Sequence, residues 1–251
     1  SAPNSTTDGN TTNDSASASF GVAMSGTFTV GSSSSDFTTI DAAIDALNCA
    51  GLGGAVVFNI ASGTYTGQYE LTSYSGASAT NTITFQAASG NASDVKITTA
   101  TTSSGDRHTI RFNQASHIVL RNLTIENTNT SYAWPVQIMQ SDYITVKSCV
   151  IKTTTENTST NFIGIVISGS ATSYSSSYKA TDIVIDSCSV TKVSFGMMCY
   201  GGGSSTSQLS PGLKVTNCSF TNIGSYGMWI YYQTGTVIHN NVINLSTTNE
   251  S

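Results

Sequence analysis

Apolar and polar residues alternate over short runs along most of the chain, and one nine-residue phrase of that alternation returns five times. It reads HIVLRNLTI at 117–125, YITVKSCVI at 143–151, DIVIDSCSV at 182–190, GLKVTNCSF at 212–220 and GTVIHNNVI at 235–243. Each copy holds a run with the period of a strand, a small polar corner, and a second strand starting at Leu123, Cys149, Cys188, Cys218 or Asn241. From Leu120 through Val146, Ile185 and Val215 to Ile238 the steps are 26, 39, 30 and 23 residues. A fixed phrase at a variable step predicts one coil per repeat, with loops of different size leaving one side. The expected fold is therefore all-β: a right-handed parallel β-helix, or solenoid. Each coil should hold three short strands, namely the two of the phrase and a third that often opens on Gly.

Upstream of the repeats the period changes once. In DFTTIDAAIDAL (36–47), Phe37, Ile40, Ile44 and Leu47 fall on one helical face, Asp36 or Thr38 can cap it, and Gly51 follows its end. This predicts a short capping α-helix at about 36–48 that covers the N-terminal edge of the solenoid. AVVFNI, GTYTGQYEL, NTITFQA and DVKIT supply the first coils. HTIRFNQ, WPVQIMQ, GIVISG, GMMCYG and GMWIYY then alternate with the repeated phrases. Residues 1–25 form a polar segment whose alternating patch Phe20-Val22-Met24 suits strand donation, and 26–251 form one β-helix domain. No amphipathic segment follows the last coil, so its C-terminal end is expected to lack a cap.

Composition narrows the classes. Only 9% of residues are charged, 38% are hydrophobic, and the net charge is −5. Nine Lys and Arg, spread singly, give no footprint for a nucleic acid. No stretch is apolar for long enough to be a transmembrane segment. Scarce charge and abundant Ser, Thr and Asn on a solenoid suit an extracellular or cell-surface protein. Of the five cysteines, Cys149, Cys188 and Cys218 share one inward column, where a ladder of buried thiols is expected. No CxxC occurs and the three histidines are scattered, so neither a metal nor another cofactor is implied.

The opening resembles the pectin lyase-like β-helix superfamily, and within it the pectin methylesterase group. The matching residues are the Val30 strand, DFTTIDAAIDAL, the strand Val56–Ile60, GTYTGQY at 63–69 and LRNLTIENT at 120–128. The architectural resemblance covers about 26–245, and the methylesterase-like wording about the first half. Where the methylesterases have Gln-Ala-Val-Ala-Leu, this chain has Trp134-Pro135-Val136-Gln137-Ile138. Their Asp-Phe-Ile-Phe-Gly and Leu-Gly-Arg-Pro-Trp phrases are absent, as are the calcium-binding Asp cluster and catalytic Arg of pectate lyases. The resemblance implies the scaffold without the family's active site.

In that superfamily substrates usually lie along the sheet of Gly-led strands. Aligning those strands by their inward pairs gives one outward column of Glu70, Arg111, Gln137, Val166, Met198 and Trp229. The next column is Thr72, Asn113, Met139, Ser168, Tyr200 and Tyr231. Glu70 over Arg111 reads as a cross-strand ion pair, like Lys147 over Asp186 and Glu126 over Lys152 on other sheets. An acid/base glycosidase needs two carboxylates, and this face offers one. Met198, Tyr200, Trp229 and Tyr231 instead form an apolar, aromatic patch suited to a sugar ring or a partner, unless the loops 168–181 and 200–211 cover it. The expected function is a non-catalytic β-helix module of a large secreted or cell-surface bacterial protein. It would act as an adhesin, stalk or filament subunit with a capacity to bind carbohydrate. Its expected partners are copies of itself end to end, the rest of a longer polypeptide, or polysaccharide. The rival is an enzyme acting on acidic polysaccharide, pectin esterase- or lyase-like, through Glu70, Arg111 and Gln137.

Overall fold

A computed structural model describes residues 22–100, 103–154 and 158–246. The chain enters through β1 (Met24–Val30) and the helix α1 (Ile40–Ala50). The first full coil is β2 (Leu52–Ile60), β3 (Gly63–Thr66) and β4 (Tyr69–Leu71), and the next is β5 (Ile83–Ala87), β6 (Val95–Thr99) and β7 (His108–Asn113). Then come β8 (Ser116–Arg121), β9 (Thr124–Asn127), β10 (Trp134–Met139), β11 (Asp142–Lys147), β12 (Val150–Thr153) and β13 (Ile163–Ser168). The last coils are β14 (Val184–Asp186), β15 (Ser189–Tyr200), β16 (Ser210–Pro211), β17 (Lys214–Thr216), β18 (Ser219–Tyr231), β19 (Gln233–Thr234), β20 (Val237–His239) and β21 (Val242–Leu245).

Every strand pairs in parallel with its counterpart one coil away. The first sheet runs β1-β2-β5-β8-β11-β14-β17-β20, the second β3-β6-β9-β12-β15-β18-β21, and the third β4-β7-β10-β13-β15-β18. β15 and β18 belong to both the second and third sheets, so the expected three separate strands fuse into two in these coils. The passage from the second sheet to the third has a steric signature, in the fused strands and in β13 alike. A Cβ on Gly164 would lie 2.5 Å from Val190 Cγ1, on Gly196 2.4 Å from Phe220 Cδ1, and on Gly227 2.5 Å from Ile243 Cγ2. These glycines point into the core at the bend, where only a bare backbone fits between the two sheets.

The repeated phrase is punctuated by left-handed backbone at both ends. His117, Tyr143 and Asp182 open it at φ 59, 55 and 52°, and Asn122, Ser148, Ser187, Asn217 and Asn240 turn its corner at φ 51 to 57°. Small polar residues tolerate this backbone, and their side chains also bond from coil to coil: Asn240 Nδ2 donates to Asn217 Oδ1 at 2.9 Å. Ser148 N donates to Asp186 O one coil on, and Ser187 N to Thr216 O, so the corners are stitched as the strands are. The next position is the thiol column. Cys149, Cys188 and Cys218 are free and buried, and Asn241 ends the column by accepting from Cys218 N at 2.8 Å and donating to Val215 O. Hydrogen bonding to Cys149 is the largest cause raising the Cys188 thiol pKa, and hydrogen bonding to Cys188 likewise raises Cys218. The column is an inert core ladder.

The N-terminal helix is shorter than the sequence pattern suggested. Thr39, rather than Asp36 or Thr38, caps it by accepting from Ala42 N at 3.1 Å, and Gly51 at φ 64° closes it with its N–H on Leu47 O. Asp36 instead accepts from Thr29 N at 2.7 Å and Thr29 Oγ1 at 2.8 Å, which lowers its pKa. Phe37 lies before the helix and packs on Phe28 and Phe58, extending a stack that continues to Phe85. Ile40, Ala43, Ile44 and Leu47 make the buried face, and Ile40 and Ile44 meet Ile60, Tyr69 and Leu71 in the core. Of the proposed donor strand, Phe20 lies outside the described residues, and Met24 is the first residue of β1, its N–H on Gly51 O. At the other end, inward positions lose their cover. Ile238 and Leu245 continue the buried Val215 and Ile223 but are 51% and 56% exposed.

Candidate functional site

The outward columns of the third sheet follow the register expected of them. Glu70 pairs with Arg111, Arg111 with Gln137, Gln137 with Val166, Val166 with Met198, and Met198 with Trp229; Tyr200 pairs with Tyr231. The face divides into a polar half on the early coils and an aromatic half on the late ones.

In the polar half, Arg111 is a hub. Its Nη1 donates to Glu70 Oε2 at 3.1 Å and its Nε to Gln137 Oε1 at 2.8 Å, while Asn113 Nδ2 donates to Glu70 Oε1 at 2.8 Å. Gln137 is fully buried and spends its Nε2 on Ser170 O and Ala171 O, which ties the following loop down over it. Burial works to raise the Glu70 pKa, but the Asn113 and Arg111 hydrogen bonds and the Arg111 charge outweigh it and hold Glu70 below the usual carboxylate range. Lys147–Asp186 at 2.9 Å and Lys152–Glu126 at 3.3 Å are ion pairs of the same kind on the other two sheets. His108, at the start of the same strand as Arg111, belongs to the polar half as well. It is buried, with Nδ1 3.3 Å from Asp106 Oδ1 but unaligned for a hydrogen bond.

Burial, then the Arg111 charge, lowers the His108 pKa from 6.5 to about 4, against the pull of Asp106 and Glu70. Between those values the unfolded chain binds more protons than the folded one. This contribution to stability is therefore complete above about pH 6.5 and is lost as pH falls toward 4. Urea unfolding should give a lower midpoint at pH 4.5 than at pH 7, with a smaller difference in His108→Gln. An identical difference in both proteins would place the sensitivity on another group.

The aromatic half is larger than the sequence indicated. Because Gly196 and Gly227 face inward at the bend, Phe195 and Tyr226 are turned outward and stack at 5.5 Å with an 18° interplanar angle. From this pair the rings continue: Tyr226 to Trp229 at 5.2 Å, Trp229 to Tyr231 at 5.9 Å, Tyr231 to Tyr200 at 5.7 Å, and Tyr200 to Tyr232 at 5.3 Å. Hydrogen bonding with Tyr232 raises the Tyr200 phenol above its usual pKa. Strict alternation hid Phe195 and Tyr226, and the glycine after Phe195 and the bulge it marks were the signal that could have found them.

The loop after β13 partly covers this surface, though not as a seal. Tyr174 packs on a small outward cluster of Trp134, Ile163, Val166, Phe195 and Met198, and Met198 is thereby buried rather than exposed. Tyr178 of the same loop turns away, its hydroxyl donating to Asp142 Oδ2 at 3.1 Å. A cleft of about 280 Å3 stays open between Tyr174, Ser175, Met198, Tyr200, Trp229 and Tyr231. Among the described residues, no three His, Cys, Asp or Glu side chains converge as a metal site.

A helix-capped solenoid of parallel three-sheet coils, with its variable loops around one aromatic outward face, defines a right-handed parallel β-helix protein. The family model for the right handed beta helix region matches residues 53–243, and the chain belongs to that family. No curated protein matches the sequence. Among solved structures, the deglycosylated pectin methylesterase from Aspergillus niger is 14% identical over 93% of this chain and 90% of that one, with a TM-score of 0.49. The pectin methylesterase from carrot is 12% identical over 94% and 86%, with a TM-score of 0.45. A rhamnogalacturonan lyase is 13% identical over 88% of this chain and 62% of its own, with a TM-score of 0.43. At these values the likeness carries nothing about activity.

Proposed function

We propose that this chain is a non-catalytic, carbohydrate-binding β-helix module of a secreted or cell-surface protein. The observation that supports it is the run of outward rings bordering an open cleft on the third sheet, in a chain whose apolar side chains are otherwise mostly packed inside. Aromatic faces stack on the C–H faces of sugars, and tyrosine hydroxyls at the rim supply polar contacts. Glu70, Arg111 and Gln137, the residues of the enzymatic rival, are bonded to one another, to Asn113 and to the carbonyls of Ser170 and Ala171, and two of the three are buried. Titration calorimetry against a panel of soluble oligosaccharides tests the reading. Saturable binding supports it, and turnover of any polysaccharide that is lost in Glu70→Gln would replace it with the enzymatic one.

End-to-end association is a second reading, favoured by the exposed apolar edge of β20 and β21. Val237, Ile238, Val242, Ile243 and Leu245 are 43 to 56% exposed there, and the outer edges of both strands have no neighbour among the described residues. Such an edge is a template for strand addition. Sedimentation velocity should show concentration-dependent association that Ile238→Asp with Leu245→Asp abolishes. A monomer at all concentrations would discard this reading and leave the carbohydrate one intact.

A further inference from the structure

We propose that the aromatic cleft takes an uncharged glycan and discriminates against polyuronates. The proposal rests on the carbohydrate reading and narrows it to a ligand chemistry.

Its first support is the inventory of the lining. Tyr174, Ser175, Met198, Cys199, Tyr200, Trp229 and Tyr231 include no cation and no carboxylate. The polar side-chain groups they offer are phenol hydroxyls, the Ser175 hydroxyl, the Trp229 indole N–H and the Cys199 thiol, which match sugar hydroxyls as neutral donors and acceptors. A uronate laid here would find only neutral donors for its carboxylate and no cation to offset its lost hydration. Burying an unpaired charge costs far more than one neutral hydrogen bond returns.

The second support is where the nearby cations are committed. Arg111 is held by Glu70 and Gln137 on the polar half of the face. Arg107 lies over the rings of Trp134 and Tyr132, at 4.4 and 5.0 Å, and donates to Ser104 O. Lys179, in the loop that carries Tyr174, donates its Nζ to Ser207 O at 2.7 Å. None of the three lines the cleft. The net charge of −5 adds a weak long-range repulsion of any polyanion.

The test compares neutral hexasaccharides (cellohexaose, xylohexaose and mannohexaose) with hexagalacturonate by titration calorimetry. Runs at about 50 and 500 mM NaCl separate ionic from neutral contacts. At least one neutral hexasaccharide should bind about tenfold or more tightly than hexagalacturonate, with an affinity that salt changes by less than about twofold. Ser175→Lys places a cation at the rim and should raise hexagalacturonate affinity about fivefold or more at low salt only. Hexagalacturonate binding as tight as the best neutral sugar, or salt-sensitive binding of the unaltered protein, overturns the selectivity while leaving carbohydrate binding in place. If the protein is folded by circular dichroism and binds neither set, both fall together.

Discussion

Gly196→Ala is expected to destabilise the fold by about 3 kcal/mol, the upper part of the range for overpacking a tight core. The Cβ would sit 2.4 Å from Gly227 O and 2.4 Å from Phe220 Cδ1. Phe220 is fully buried, and Gly227 O belongs to the backbone of the next coil. Neither can retreat without opening the seam where β15 and β18 turn from the second sheet into the third. Gly63 is the matched control. It also lies in a strand, but a Cβ there meets Tyr65 at 3.6 Å, an ordinary contact, so Gly63→Ala should change the urea midpoint little. Equal midpoints for the two variants would show that the bend has slack and that glycine is not what it requires.

Trp229→Ala should weaken glycan binding by about thirtyfold or more, the scale of a central aromatic anchor lost from an interface. Trp229 touches both arms of the aromatic run, with Tyr226 and Phe195 on one side and Tyr231 on the other, and it borders the open cleft. Removing it breaks the run at its middle, whereas Tyr231→Ala removes one flank and should cost less. Because Trp229 also packs on the small outward cluster, some loss of thermal stability should accompany the substitution. Far-ultraviolet circular dichroism separates that from unfolding, and Trp229→Phe, which keeps a ring, should recover part of the affinity. Unchanged binding in a folded Trp229→Ala protein would remove the aromatic run from the site.

Both predictions depend on the same local event. Alternation within a strand is a short-range signal, and it placed Glu70, Arg111, Gln137, Val166, Met198 and Trp229 in one column without error of register. It failed one step away, where Gly164, Gly196 and Gly227 face inward beside inward Ile165, Met197 and Met228. Two successive inward positions break the period, so Ile163, Phe195 and Tyr226 emerge on the outside. The helix shows the same limit. Its apolar face was legible from spacing, but Asp36 bonds Thr29 across the chain rather than capping, because β1 brings the Thr29 N–H and hydroxyl within reach.

The repeated phrase alone determined the coil, its pairing partners and its inward thiol ladder, because each depends on residues whose neighbours recur at the same place in every turn. What only the folded chain decided is how open the aromatic face is. Tyr174, some two dozen residues before Met198, comes down on it and buries it, while Trp229 and Tyr231 stay accessible beside a cleft. That choice belongs to a loop with no repeat and no period. Its path is set by contacts between residues far apart in sequence, such as Gln137 holding the carbonyls of Ser170 and Ala171.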